Sequence, residues 1–206
     1  MKKNKSSKNW IIKQHRDQYF KRSKILGYRS RSAFKLIELD KKFKFFKKKI
    51  NLLDIGSSPG GWSQVAQEKI QSTGKIISVD IKDMEAIDNV HFINADFSKK
   101  ETIQKISSLF EGKIDVIISD MAANTTGNKN LDCIRTNQLS LDVIKFSLKN
   151  LKNKGVLIVK LFMGEDFVEV KNFAKKKFKK VDFFKPKSSR DNSKETYIHC
   201  STINSL

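Results

Sequence analysis

The chain has 206 residues, 38% of them hydrophobic and 15 of them Phe, which is enough for one ordinary globular domain around a single core. Two Pro and nine Gly exclude a low-complexity chain, and no apolar run approaches the roughly 20 residues of a membrane span. The net charge of +20 is unevenly placed: residues 1–50 carry 18 Lys/Arg against 3 Asp/Glu and residues 171–190 carry 9 against 1, while residues 51–170 carry 14 against 16. Two basic segments flanking a near-neutral middle suit a polyanion held across a neutral body.

In chain order, residues 1–30 read as a basic N-terminal arm, followed by one domain over 31–206. The first residues, MKKNKSSKNWIIKQHRDQYFKRS, have no apolar core of the secretory kind, so a cytoplasmic protein that meets no membrane is expected, with a transit peptide as the minor alternative. SRSAFKLIELDKKF (30–43) predicts an amphipathic helix with Phe34, Leu36 and Ile37 toward the core. INLLDIG (50–56), KIISVDI (75–81), VHFINAD (90–96), DVIISDM (115–121) and GVLIVKLF (155–162) read as buried strands. Between them GWSQVAQEKI (61–70), SKKETIQKISSLF (98–110) and LDCIRTNQLSLDVIKFSLKNL (131–151) read as helices, the second opened by a Ser98/Glu101 capping box. EDFVEVKNFAKKKF (165–178) is a further helix, and KVDFFKP (180–186) and ETYIHCSTI (195–203) are closing strands that pair as a hairpin. Alternating strands and helices imply an α/β fold, a mostly parallel seven-stranded sheet with an antiparallel last strand and helices on both faces.

In such a sheet ligands sit beyond the carboxyl ends of the strands. DIGSSPGGW lies at the first such end. Gly56 permits a tight turn, Gly60 and Gly61 let backbone approach a ligand, and Pro59 stands within the loop. The spacing G-x-x-x-G-G is neither the dinucleotide G-x-G-x-x-G nor a phosphate P-loop. Asp54, just before the loop, favours a ligand with an ammonium or sulfonium centre over a pyrophosphate. Asp80 ends the second strand, placed for two ribose hydroxyls, and Asp96 ends the third, placed near an adenine amino group. Any one of these acids alone is as easily a turn or capping residue; the three together with the glycine loop point to S-adenosylmethionine. Trp62 suits a core aromatic and a shelf for the ligand equally well.

The loop after the fourth strand, SDMAAN, lacks the Asn/Asp-Pro-Pro-aromatic pattern of amine methylation, and neither Cys133 nor Cys200 has the setting of a base-carbon nucleophile. Both cysteines read as buried free thiols, His15, His91 and His199 as structural or surface residues, and no acid cluster suggests a metal. What remains is Asp120 at one strand end and Lys160 within the apolar LIVKLF, where a lysine is costly unless paired or reaching a cleft. Lys35 and Glu195 are unremarkable by themselves.

Together, YRSRSAFKLIELDKKF, LLDIGSSPGGWSQVA, DVIISDMAAN, VLIVKLFMGEDF and KPKSSRDNSKETYI resemble the bacterial FtsJ/RrmJ (RlmE) family of ribosomal RNA large-subunit (23S) ribose 2′-O-methyltransferases, over about residues 8–200. The resemblance implies a Rossmann-like S-adenosylmethionine-dependent methyltransferase fold and a catalytic tetrad of Lys35, Asp120, Lys160 and Glu195. It implies cofactor contacts at Gly60, Trp62, Asp80, Asp96 and Asp120, and a uridine of the A loop of 23S ribosomal RNA, within the large subunit, as substrate. One departure is Ala123, where the family usually has proline; this puts the rigidity of the loop in question more than its chemistry. Lys13, Arg16, Lys21, Arg22, Arg29 and Arg31 are candidates to grip RNA phosphates, with Tyr28 to stack on a base. A monomer is expected. The competing readings are the same chemistry on a transfer RNA or messenger cap, and a non-catalytic RNA-binding protein of ribosome assembly.

Overall fold

A computed structural model describes residues 17–204. Helices α1 (Gln18–Ile25) and α2 (Ser32–Phe43) precede the sheet; then follow β1 (Asn51–Ile55), α3 (Gly61–Ile70), β2 (Lys75–Asp80), β3 (Val90–Asn94), α4 (Lys100–Leu109), β4 (Ile114–Ser119), α5 (Lys129–Asn150), β5 (Leu151–Phe162), α6 (Phe167–Lys177), β6 (Phe178–Phe184) and β7 (Glu195–Ile203). One sheet of order β3-β2-β1-β4-β5-β7-β6 contains all seven strands. The first five are parallel, and β7 runs antiparallel to both neighbours. The expected hairpin of β6 and β7 forms, and β7 also inserts beside β5.

Alternate residues of the central strands enter two cores. Leu53, Ile77, Ile117, Leu157 and Ile198 pack under α4, α5 and α6. Leu52, Ile76, Ile118, Ile158 and Tyr197 pack under α2 and α3. Burial on both faces explains the continuous apolar runs. On α2 the core positions are Ala33, Phe34, Leu36 and Leu39, and the expected Ile37 is half-buried at the margin.

The Ser98/Glu101 capping box does not form. Helix α4 starts at Lys100, and its cap, Lys99, makes no side-chain capping bond. Ser98 instead donates from both its amide and hydroxyl to Asp96 Oδ1, at 2.9 and 2.7 Å. A carboxylate two residues upstream outcompetes the helix end for that serine. Strand β5 starts four residues earlier than expected, across a register shift against β4. No helix among the described residues is long and apolar enough to cross a membrane.

Candidate active site

The carboxyl ends of β1, β2, β3 and β4 frame a cleft of about 240 Å³. Gly56 lines it at φ +79, and a Cβ there would fall 2.2 Å from Met121 Cγ, so only glycine lets the loop pass the segment after β4. Gly60, at φ +108, caps α3, and the Ser58–Pro59 peptide is cis. Asp80, Asp96 and Asp120 all line the cleft, as expected. Asp80 accepts the Ser58 and Lys82 amides, at 2.9 and 2.8 Å, which locks the glycine loop to the end of β2. The bonds from Ser98 hold the Asp96 carboxyl below the usual range. Both use Oδ1, so among the described residues Asp96 Oδ2 takes no hydrogen bond and is left for a ligand. Ile81, 60% exposed, and Phe97 give the cleft apolar walls for a flat ring. Acceptors at two strand ends plus apolar walls fit the ribose and adenine of S-adenosylmethionine.

Several expected cofactor residues stand behind this wall. Asp54 is 1% exposed beneath the loop, where it accepts from the Ser63 hydroxyl at 2.7 Å. Burial pushes its carboxyl up to about 7 against the lowering effect of Ser63, with Asp120 and Asp80 adding to the rise. Asp54 is therefore buried on the α3 side of β1 and does not line the cleft. Trp62 is a core aromatic: it is 2% exposed, its indole N–H donates to the Ser32 carbonyl at 2.9 Å, and its ring lies 5.7 Å from that of Tyr197. Gly61 lies against Ser30, and Pro59 offers its carbonyl to Arg29.

Next to the cleft the strand register gathers the four polar residues. Lys160 pairs with Tyr197 and Phe162 with Glu195 across β5 and β7, so Lys160, Tyr197 and Glu195 share the face covered by α2. Lys160, 6% exposed, donates to Asp120 Oδ1 at 3.0 Å and to the Asp120 carbonyl. Lys35 reaches down from α2 to both oxygens of Glu195, at 2.8 and 2.9 Å. Burial pushes the Asp120 carboxyl up, but Lys160 and Lys35 outweigh it and hold the group below its ordinary value. The sequence reading missed Tyr197, which joins the two ion pairs. Its hydroxyl donates to Asp120 Oδ1 at 2.7 Å, and Lys35 Nζ stands 5.8 Å over its ring. The signal was the period of two from Glu195 in a strand.

The candidate RNA residues divide. Lys13 and Arg16 lie outside the described residues. Lys21 and Arg22 are exposed on α1, with Arg22 over the Phe34 ring at 5.2 Å. Arg29 donates to the carbonyls of Glu85 and Ala86, at 2.6 and 2.8 Å, and Arg31 bonds Asp17 and the Ser188 carbonyl. In both residues the terminal nitrogens of the guanidinium brace neighbouring loops. Tyr28 is half-buried, edge-on to Phe34, and donates to Glu68 at 2.9 Å; burial and Glu68 raise its pKa to about 12. Arg190, which the sequence reading did not name, lines the opening beside Lys35 and Glu195. At Ala123 the amide donates to Thr136 Oγ1 at 3.2 Å, a tether that proline could not make. Cys133 and Cys200 are buried free thiols.

A parallel sheet of this order, closed by an antiparallel strand and carrying an acid-lined cleft at its carboxyl ends, defines a Rossmann-like methyltransferase. The chain belongs to the FtsJ-like methyltransferase family, whose model matches residues 28–202. S-adenosylmethionine is the cofactor this membership implies. It is 49% identical over 203 residues to ribosomal RNA large subunit methyltransferase E of Pelagibacter ubique (strain HTCC1062), covering 98% of this chain and 100% of that one. The protein of that name from Rickettsia akari (strain Hartford) is 43% identical, covering 96% and 89%. A crystallised Plasmodium falciparum protein described as a ribosomal RNA methyltransferase superposes with TM-score 0.77 at 37% identity, covering 85% of this chain and 98% of that one. Human methyltransferase-like protein 13, in complex with SAH, shares the fold alone, at TM-score 0.58 and 15% identity, covering 82% and 79%.

Proposed function

We propose that this protein methylates the 2′-hydroxyl of a ribose in RNA with S-adenosylmethionine, and that its target is a uridine in the A loop of 23S ribosomal RNA within the large subunit, in the cytoplasm. The carrying observation is the buried Lys160–Asp120 pair at the lip of the acid-lined cleft, with Lys35 held beside it by Glu195. The names of the close relatives support a ribosomal RNA target.

When bound, the cofactor supplies a methyl group activated by a sulfonium. A ribose hydroxyl is a weak acid, so the protein must fix its oxygen in line and take its proton. Two acceptors on Asp120 fix the Lys160 nitrogen, and its remaining position is left for the 2′-hydroxyl. In its neutral amine form Lys160 orients the oxygen through its lone pair and accepts its proton as the O–CH₃ bond forms and the methyl–sulfur bond breaks.

The test is tritium transfer from labelled S-adenosylmethionine to large subunits from a methylation-deficient strain, to free ribosomal RNA and to bulk transfer RNA. Label is expected on the large subunit, at a ribose resistant to alkaline cleavage. Label on transfer RNA alone would replace the ribosomal target. No label, with cofactor still bound, would favour an RNA-binding protein without catalysis.

A further inference from the structure

The end of the sheet opposite the cleft carries charge that this reaction does not use. The amino ends of β4 and β5 and the carboxyl end of β7 open there into a cavity of about 460 Å³, larger than the cofactor cleft. Five lysines line it from three separate segments: Lys44 and Lys47 between α2 and β1, Lys152 and Lys154 at the start of β5, and Lys180 on β6. The carboxylates facing them are few. Asp115 pairs with Lys152 at 2.7 Å and accepts the Asn51 amide, and Asp182 lies 3.4 Å from His199 Nδ1. Among the described residues Lys44, Lys47, Lys154 and Lys180 meet no carboxylate within 4.0 Å.

The floor of this cavity is aromatic. Phe43 stacks flat on buried His199, centroids 4.2 Å apart and planes at 4°. Burial lowers the His199 pKa against the raising effect of Asp182, with Lys180 adding to the lowering. Lys44 sits at φ 52, the cap of α2 where glycine is the usual residue, so a cation stands where backbone geometry favours none.

We propose that this end of the sheet is a second RNA-docking surface, which takes the phosphate backbone of a part of the RNA substrate remote from the target ribose. The inference rests on the reading above that the substrate is ribosomal RNA. Ammonium groups on flexible stems neutralise phosphates without reading bases, and no arginine fork in the cavity converges on one small anion. The five residues of β1 put roughly 16 Å of strand between this surface and the cleft, so one nucleotide cannot occupy both, whereas a large folded RNA can. Helix α2 spans the same gap, with Lys35 in the active site and Lys44 at its far cap.

The test compares the triple variant K47Q/K154Q/K180Q with wild type and with K100Q/K105Q/K149Q, which removes equal charge from α4 and α5. Steady-state methylation of unmethylated large subunits should show KM raised roughly tenfold in the first variant, with kcat within about twofold and the salt dependence shallower. The control triple should stay near wild type. Anisotropy of a labelled 16-base-pair RNA duplex reads the same surface without turnover, and binding there should weaken in parallel. Wild-type KM and duplex affinity in the first variant, or an equal loss in the control, would overturn the surface. If wild type labels no subunits, the ribosomal reading fails, and the duplex measurement alone still decides whether this surface binds RNA.

Discussion

The two halves of the sheet build their sites by different routes. In the half formed by β3, β2, β1 and β4, each functional acid stands just past or at the end of its own strand, and the cleft exists because parallel strands end together. In the half formed by β5, β7 and β6, nothing is in place until β7 lies antiparallel beside β5, which sets Lys160 opposite Tyr197 and brings Glu195 under Lys35. The first site is a sum of local features, each separately replaceable. The second is a coupled network in which one buried charge depends on the next.

That contrast can be broken at its strongest point by Lys160→Ala. Turnover should fall about a thousandfold, in the range typical of a lost general base, while cofactor affinity stays at the wild-type value by calorimetry. Near-normal turnover would remove Lys160 from the chemistry. In the local half, Asp80→Ala should raise the cofactor Kd roughly 10- to 100-fold, the worth of a charge-assisted hydrogen bond. At saturating cofactor its kcat should be little changed, and its effect should add to that of Asp96→Ala.

Smaller but more telling is Tyr197→Phe. It removes one donor from half-buried Asp120 and should lower kcat roughly tenfold, leaving cofactor affinity alone. Combined with Lys160→Ala it should cost almost nothing further, because the residues act as a unit; additive losses would mean that the network is not coupled. The last effect, on stability and not on turnover, concerns Asp54. Burial keeps a proton on its native carboxyl up to about pH 7, whereas the unfolded chain releases it near the ordinary value of 3.8. The native state therefore binds more protons across that window, and this group lowers stability as pH rises from about 4 to 7. Asp54→Asn removes this pH dependence, so between pH 5 and pH 8 wild type should lose roughly 2 to 3 kcal/mol relative to the variant, measured by urea unfolding at both values. Parallel losses would show that Asp54 is ionised throughout.

Elements and their kinds were legible because apolar runs, glycines and helix periodicity are local signals. Boundaries moved where a local choice had a competitor. Ser98 could cap a helix or bond Asp96, and nothing in the spacing S-K-K-E reveals the carboxylate that wins. Composition counts the charges of Arg29 and Arg31 without showing partners, and only the fold supplies the carbonyls and Asp17 that they bond.

By itself the sequence determined the layered α/β architecture, the glycine loop, the strand-end acids Asp80 and Asp96 and, through its resemblance, the membership of Lys35, Asp120, Lys160 and Glu195 in one site. Each depends on residues close together in the chain or on whole motifs. The tertiary structure alone decided that Asp54 and Trp62 lie inside, that Tyr197 ties Asp120 to the lysines, and that five lysines gather at the far end of the sheet. Those outcomes depend on strand register and on which face a side chain takes, and both are fixed by contacts between residues far apart in sequence.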